Sequence, residues 1–272
     1  MLINVRLLLL FPFFACSTPT EQPPLEYFPC SAEAHVWYLG ANGYAVNINN
    51  RVLIFDYQEQ TDPHPPPRTE RNLQNGYIDP GVLDTMRVYV FVTHTHFDHY
   101  DPVILEWEDQ IDSSTYFFGW EAGDNPEHYY LSELRDSARV GDMEVYTIYS
   151  HHSNVPEVAF LVKVDGYTIY HNGDYKANYQ EDYAYLATLA DSIDIACMVG
   201  VPDMTDQYFQ QAAHLAELFP TAYMFPMNRE DDPSRIRRFR DMFMNLHPEV
   251  QVLCPEQRGE SFSCPKVSSE AP

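Results

Sequence analysis

The run Thr93-His94-Thr95-His96-Phe97-Asp98-His99 places three histidines and an aspartate within seven residues. It directly follows Val88-Tyr-Val-Phe-Val-Thr93, an apolar stretch that reads as a buried strand. In an extended segment residues i and i+2 point the same way, so His94 and His96 can converge on one ion. Asp98 and His99 lie just beyond, where the chain can turn and face a neighbouring position. Imidazole nitrogens at ~2.0–2.1 Å and a carboxylate are what zinc-like divalent ions bind. An exposed polar loop or a pH-sensitive histidine patch would give no reason for a His-x-His-x-Asp-His spacing at a strand end.

Such a cluster needs a rigid frame, and short apolar runs supply it. Strands are expected at 35–39, 44–48 and 52–55, punctuated by Gly40, Gly43 and the Asn49-Asn50 turn. A polar loop rich in proline, 57–81, separates them from the strand that delivers the histidines, and loops of that length are usually functional or mobile. A short helix opens at Asp101 as N-cap and runs over 102–111. Strands at 115–118, 144–149, 158–164 and 167–171 follow. The second half alternates: helix 180–191, strand 195–199, helix 206–219, strand 222–225, helix 233–245, strand 250–254. Tyr208, Ala212, Leu215 and Phe219 share one helix face at 3.6-residue spacing and read as core. This order fits an α/β fold, a four-layer αββα sandwich over 35–262, followed by a disordered tail at 263–272.

The chain has 272 residues, enough for a substantial core, and 16 basic against 40 acidic side chains give a net charge of −24. A surface that acidic repels phosphate backbones, so nucleic acid is excluded as a partner. Residues 1–15 read as an export signal, with Arg6 ahead of Leu7-Leu-Leu-Leu-Phe11 and Phe13-Phe-Ala15. Phe13-Phe-Ala-Cys16 is similar to a bacterial lipoprotein processing site, which puts a lipid anchor on Cys16 and a tether over 16–34. The expected location is the periplasm or cell envelope, against a membrane surface. Beyond Cys16 stand Cys30, Cys197, Cys254 and Cys264; there is no Cys-x-x-Cys zinc spacing, and Cys254 and Cys264 are close enough in sequence to close a small loop.

The histidine motif is similar to the signature of the metallo-β-lactamase superfamily. Supporting matches come in order: Trp37-Tyr-Leu-Gly-Ala-Asn-Gly-Tyr44, the strand ending at Asp56, Tyr170-His-Asn-Gly-Asp174 and Ala222-Tyr-Met-Phe-Pro-Met-Asn228. Among its branches the chain most resembles the L-ascorbate-6-phosphate lactonase and related small metallohydrolases. The resemblance implies one or two divalent ions, zinc first, with manganese or iron as alternatives. It implies that His94, His96 and a histidine from Ser150-His151-His152-Ser153 hold the first ion, His152 being favoured over His151. Asp98 and His99 would hold the second, and Asp174 would bridge. Where the family usually places a further histidine this chain has Asn228, a weaker and harder ligand, with Glu230, Asp231 or Asp232 as substitutes.

In a two-ion centre the intervening water is acidified toward neutral pH, and Asp98 is placed as the catalytic residue that orients it and takes its proton. The implied reaction is metal-dependent hydrolysis of an ester, lactone, amide or phosphodiester bond in a small-molecule substrate. Loops 57–81 and 119–136, the latter with Trp120, Tyr129 and Tyr130, would recognise it. The rival class, motivated by Asn228, is an exported metal-binding or partner-binding domain with a degenerate, catalytically weak site. A nuclease suits such a fold in general, but the −24 charge opposes it.

Overall fold

A computed structural model describes residues 33–121, 123–227 and 232–266. Two seven-stranded sheets face each other. The first contains β1 (Ala34–Gly40), β2 (Gly43–Ile48), β3 (Arg51–Phe55), β4 (Arg87–Val92), β5 (Ser114–Phe118), β6 (Tyr129–Tyr130) and, last in the chain, β14 (Ser261–Cys264), in the order β14-β1-β2-β3-β4-β5-β6. The second holds β7 (Ser137–Val140), β8 (Met143–His152), β9 (Val155–Val164), β10 (Tyr167–His171), β11 (Ile193–Val199), β12 (Thr221–Met227) and β13 (Gln251–Val252), in the order β13-β12-β11-β10-β9-β8-β7. Each sheet is antiparallel on one side and parallel on the other; β3, β4 and β5 run parallel, as do β10, β11 and β12.

The side-chain period of two builds the layers. In β3, Leu53 and Phe55 face the second sheet while Val52 and Ile54 face out; in β4, Tyr89 and Phe91 face in while Val88, Val90 and Val92 face out. Both faces of these strands are buried, which is why they read as unbroken apolar runs rather than as alternating ones. Phe91 stacks between Phe55 and Phe117, both centroids at 4.7 Å, so β4 lies in the middle of the inter-sheet core.

The outer face of the second sheet is covered by α1 (Tyr179–Leu186), α2 (Gln207–Leu218) and α3 (Pro233–Leu246), through residues such as Tyr183, Leu215 and Phe243. The covering layer on the first sheet is thinner than expected. The predicted helix at 102–111 is a 3-10 helix, Pro102–Trp107, opened by Asp101, whose side chain accepts from the Val103 N–H. Loop 57–81 contributes three more 3-10 turns, and Leu73 and Ile78 from it join Ile104 and Trp107 over the sheet. Part of that loop is therefore wall rather than a mobile recognition arm. The α/β four-layer order holds, with 3-10 turns forming one outer layer.

The other differences are short or at edges. β6 and β7 were not anticipated, and β14 carries pairing with β1 through Cys264, two residues past the domain end read from sequence. Tyr208, assigned to the core stripe of α2, is half-buried, and its hydroxyl donates to the Asp174 carbonyl at 3.1 Å; Phe209 is buried instead. Cys197, Cys254 and Cys264 are free thiols, so no Cys254–Cys264 loop is closed. Residues 1–32, which hold the export signal, Cys16, Cys30 and most of the tether, and residues 267–272 lie outside the described residues; Ala34, read as the end of the tether, is the buried first residue of β1. Among the described residues no helix is long and apolar enough to cross a membrane.

Candidate metal centre

β4 ends at Val92, and beyond Thr93 the next six residues turn back over the sheet edge, with the His99 and Tyr100 N–H groups donating to the His96 carbonyl. Two glycines let other segments close against Thr93. A side chain at Gly119 would meet the Thr93 carbonyl oxygen at 2.1 Å, and one at Gly173, where φ is +54°, would meet the Thr93 side chain at 2.8 Å. Gly173 thereby brings Asp174, at the end of β10, to the histidine cluster.

The six side chains proposed from sequence come together. His94 Nε2 lies 3.0 Å from His96 Nδ1, close enough for both to reach one ion at ~2.0–2.1 Å. The His152 ring sits 5.6 Å from that of His94 and 5.1 Å from that of His96. Asp174 Oδ2 lies 3.4 Å from His152 Nε2 and 3.6 Å from His99 Nε2, between the two groups. Asp98 Oδ2 is 3.8 Å from His99 Nε2. The tightest subset is His94, His99 and Asp174, whose ligand atoms all lie within 4.8 Å of one another. His151 points elsewhere: it is exposed, with Nε2 at 3.0 Å from the Tyr149 hydroxyl. Asn228, Glu230 and Asp231 lie outside the described residues. Asp232 caps α3 and accepts from the Ser234 N–H at 2.9 Å.

Residues that the motif does not contain set the ring orientations. Asp56, fully buried at the end of β3 with φ +46°, accepts from the Thr93 N–H and hydroxyl, both at 2.8 Å, and from His99 Nδ1 at 2.7 Å. A left-handed non-glycine residue is strained, and the three donors hold it there. The Thr93 hydroxyl proton is committed to Asp56, so at 3.0 Å from His94 Nδ1 the hydroxyl oxygen accepts. Both His94 and His99 thus carry a proton on Nδ1 and direct Nε2 into the cluster. A buried carboxylate behind a ligating imidazole is the usual way a metal site fixes its tautomers. Asn42 adds a further contact, its Nδ2 lying 2.8 Å from His99 Nε2 and donating to the Asp98 carboxylate at 3.4 Å.

The electrostatics suit a cation. Burial, and then the neighbouring His99, pushes the His94 pKa down to about 2, so it presents a neutral, ligating imidazole. Burial opposes charge on His99, but Asp174 and Asp56 outweigh it and push its pKa well up. Burial likewise opposes ionisation of Asp174, yet His99 holds its pKa far below the usual carboxylate range. The pocket is therefore a negative field in which Asp56 and Asp174 draw a proton onto His99 while His94 stays neutral, and a divalent cation would take that proton's place. Four imidazoles and two carboxylates fit divalent transition ions by donor type as well as by position.

Glu157 was also not anticipated, though a lone acid inside the apolar run of β9 was a visible signal. It is fully buried; one oxygen accepts from the Ser150 hydroxyl at 3.1 Å, and Oε1 lies 3.9 Å from His94 Nδ1. It ties β9 to the strand bearing His152 and sits behind His94. Burial, and then Asp174, pushes its pKa well up, toward the neutral acid. Glu157→Ala should weaken zinc affinity about 10-fold or more, as loss of a supporting group does. Glu157→Gln, which imitates the protonated carboxyl, should stay within about threefold of wild type in the same chelator-competition titration.

A family model described as a Beta-lactamase superfamily domain matches residues 35–228. No curated protein matches the chain by sequence. Among solved structures the chain is similar to Igni18, a metallo hydrolase from the archaeon Ignicoccus hospitalis KIN4/I, at 16% identity and a TM-score of 0.56, over 85% of this chain and 98% of that one. It is similar to CmlA, a diiron β-hydroxylase from Streptomyces venezuelae, at 11% identity and a TM-score of 0.55, over 88% of this chain and 55% of that one. A diphosphatase of the PhnP family matches at 10% identity and a TM-score of 0.50, over 86% of this chain and 99% of that one. At these identities the likeness is one of fold. The chain belongs to the β-lactamase superfamily and has the metallo-β-lactamase fold.

Proposed function

We propose that the protein is a metal-dependent hydrolase that cleaves an ester, lactone, amide or phosphodiester bond of a small molecule, in the manner of the L-ascorbate-6-phosphate lactonase-like branch. One observation carries the reading: His94, His96, His99, His152, Asp98 and Asp174 form a single cluster at the strand ends, with Asp174 in reach of both His99 and His152. His94, His96 and His152 would hold one divalent ion, Asp98 and His99 a second, and Asp174 would face both. Zinc suits the nitrogen-rich side, with manganese or iron as alternatives. Bound there, such an ion supplies an acidified water and Lewis-acid polarisation of the scissile group.

The chain's own residues then have separable tasks. Asp98, nearly buried and oriented by Asn42, accepts the proton of the attacking water. Asp56 and Thr93 keep the Nε2 atoms of His94 and His99 facing the reacting centre. Export, a lipid anchor at Cys16 and a small-molecule substrate complete the proposal.

Asp98→Asn tests it. In a screen over lactones, esters and phosphodiesters, the zinc-loaded wild type should turn over at least one class. The variant should lose about 10²–10⁴-fold in kcat with its circular dichroism unchanged. A wild-type protein that binds zinc but hydrolyses none of these classes would instead favour the metal-binding module.

A further inference from the structure

β5, β6 and the 3-10 helix at Pro102–Trp107 border a cleft of about 430 Å³ that none of the six clustered side chains lines, within the range of small-ligand pockets. Its lining is unusual in composition. Tyr100, Phe118, Trp120 and Tyr130 contribute four aromatic rings, Glu108 and Asp124 contribute carboxylates, and no lysine or arginine among the described residues lines it.

Two of the ring pairs meet at an angle, and Phe118 stacks on Tyr130 at 25°. Tyr100 and Trp120 meet edge-on at 5.5 Å and 63°, while Phe118 lies 4.6 Å from Trp120 and 5.6 Å from Tyr130. Phe118 forms the buried floor, whereas Tyr100, Trp120 and Tyr130 are only half-buried. Glu108 is held in place by His128 Nε2 at 2.9 Å and Asn125 Nδ2 at 3.3 Å. Asp124 is exposed.

Aromatic faces are negative, and with two carboxylates the cleft repels anions. A small inorganic cation would keep its water shell rather than exchange it for ring faces, and Glu108 is already engaged with His128 and Asn125. The ligand that gains from every wall is a diffuse cation with an apolar skin. It buries methyl groups against the rings, draws on cation–π attraction and faces the carboxylate of Asp124.

We propose that this cleft binds a small organic cation of the alkylated-ammonium class. The claim concerns binding and stands apart from the hydrolase reading.

The probe is choline chloride, titrated into the full chain at constant ionic strength against sodium chloride and followed by calorimetry and tryptophan fluorescence. The neutral isostere 3,3-dimethyl-1-butanol is titrated in parallel. Choline should saturate one site, with the isostere about tenfold weaker. Trp120→Ala, and independently Tyr100→Leu, which keeps an apolar side chain in place, should each weaken choline about tenfold. Asp174→Asn should leave choline affinity unchanged, which separates this cleft from the histidine cluster. Equal binding of the isostere, non-saturating choline binding, or wild-type affinity in folded Trp120→Ala and Tyr100→Leu would each overturn the proposal.

Discussion

Asp174→Asn is expected to lower zinc affinity by more than about 100-fold and to abolish detectable hydrolysis. The reason is placement. Asp174 is in reach of His99 on one side and His152 on the other, so it is the charged group through which both halves of the cluster would meet one another. Substitutions of groups that merely support a metal ligand already cost about 10–100-fold, and a group inside the cluster should exceed that. An amide would also lose the negative charge that offsets the ions. The fold should survive, because the Asp174 backbone carbonyl remains tied to the Tyr208 hydroxyl and the preceding turn is set by Gly173. Elemental analysis after dialysis, with circular dichroism as the control, measures both. Retention of wild-type stoichiometry and affinity would remove Asp174 from the centre.

Asp56→Ala should be the most destabilising change near the site. Its carboxylate is fully buried and accepts from three donors, the Thr93 N–H, the Thr93 hydroxyl and His99 Nδ1. Burial works against its ionisation, but His99 and then His171 hold its pKa below the usual range, so the folded protein contains the carboxylate form. Truncation leaves buried donors without acceptors and removes the nearer of the two carboxylates that face His99, which costs about 3–5 kcal/mol. In a domain of this size that lowers Tm by roughly 6–20 °C. Calorimetry in the presence of a chelator isolates the effect from metal loss. A shift of less than about 2 °C would show that Asp56 does not organise the cluster.

The cluster was largely legible because its core is local. Four of its six members fall between His94 and His99, and strand periodicity alone places the first two on one side. Asp174 could be read only through the order of motifs, since a Gly-Asp turn by itself is ordinary. Asp56, Asn42 and Glu157 escaped because their roles exist only after folding, with Asp56 reaching a histidine 43 positions away. The choice of His152 over His151 depends on how the end of β8 is turned, which spacing suggests but does not determine.

The strands buried on both faces were equally readable. Runs such as Val52-Leu-Ile-Phe55 and Val88-Tyr-Val-Phe-Val92 are too short for a buried helix, rich in β-branched and aromatic side chains, and bounded by polar turns. β6, β7 and β14 were not, being short and drawn from polar or mixed sequence at or near sheet edges. The stretch after Asp101 has a helix-opening signature, but N-caps and an N1 proline signal a start without distinguishing α from 3-10. Tyr208 shows the same limit on α2, where a hydroxyl at the rim of an apolar stripe reaches the Asp174 carbonyl instead of packing inward.

The most direct test is anomalous scattering at the zinc absorption edge from crystals of the chain grown with zinc. The expected result is one or two peaks enclosed by the imidazoles of His94, His96, His99 and His152 and the carboxylates of Asp98 and Asp174. Zinc bound only elsewhere, with these side chains ordered and no peak among them, would contradict it.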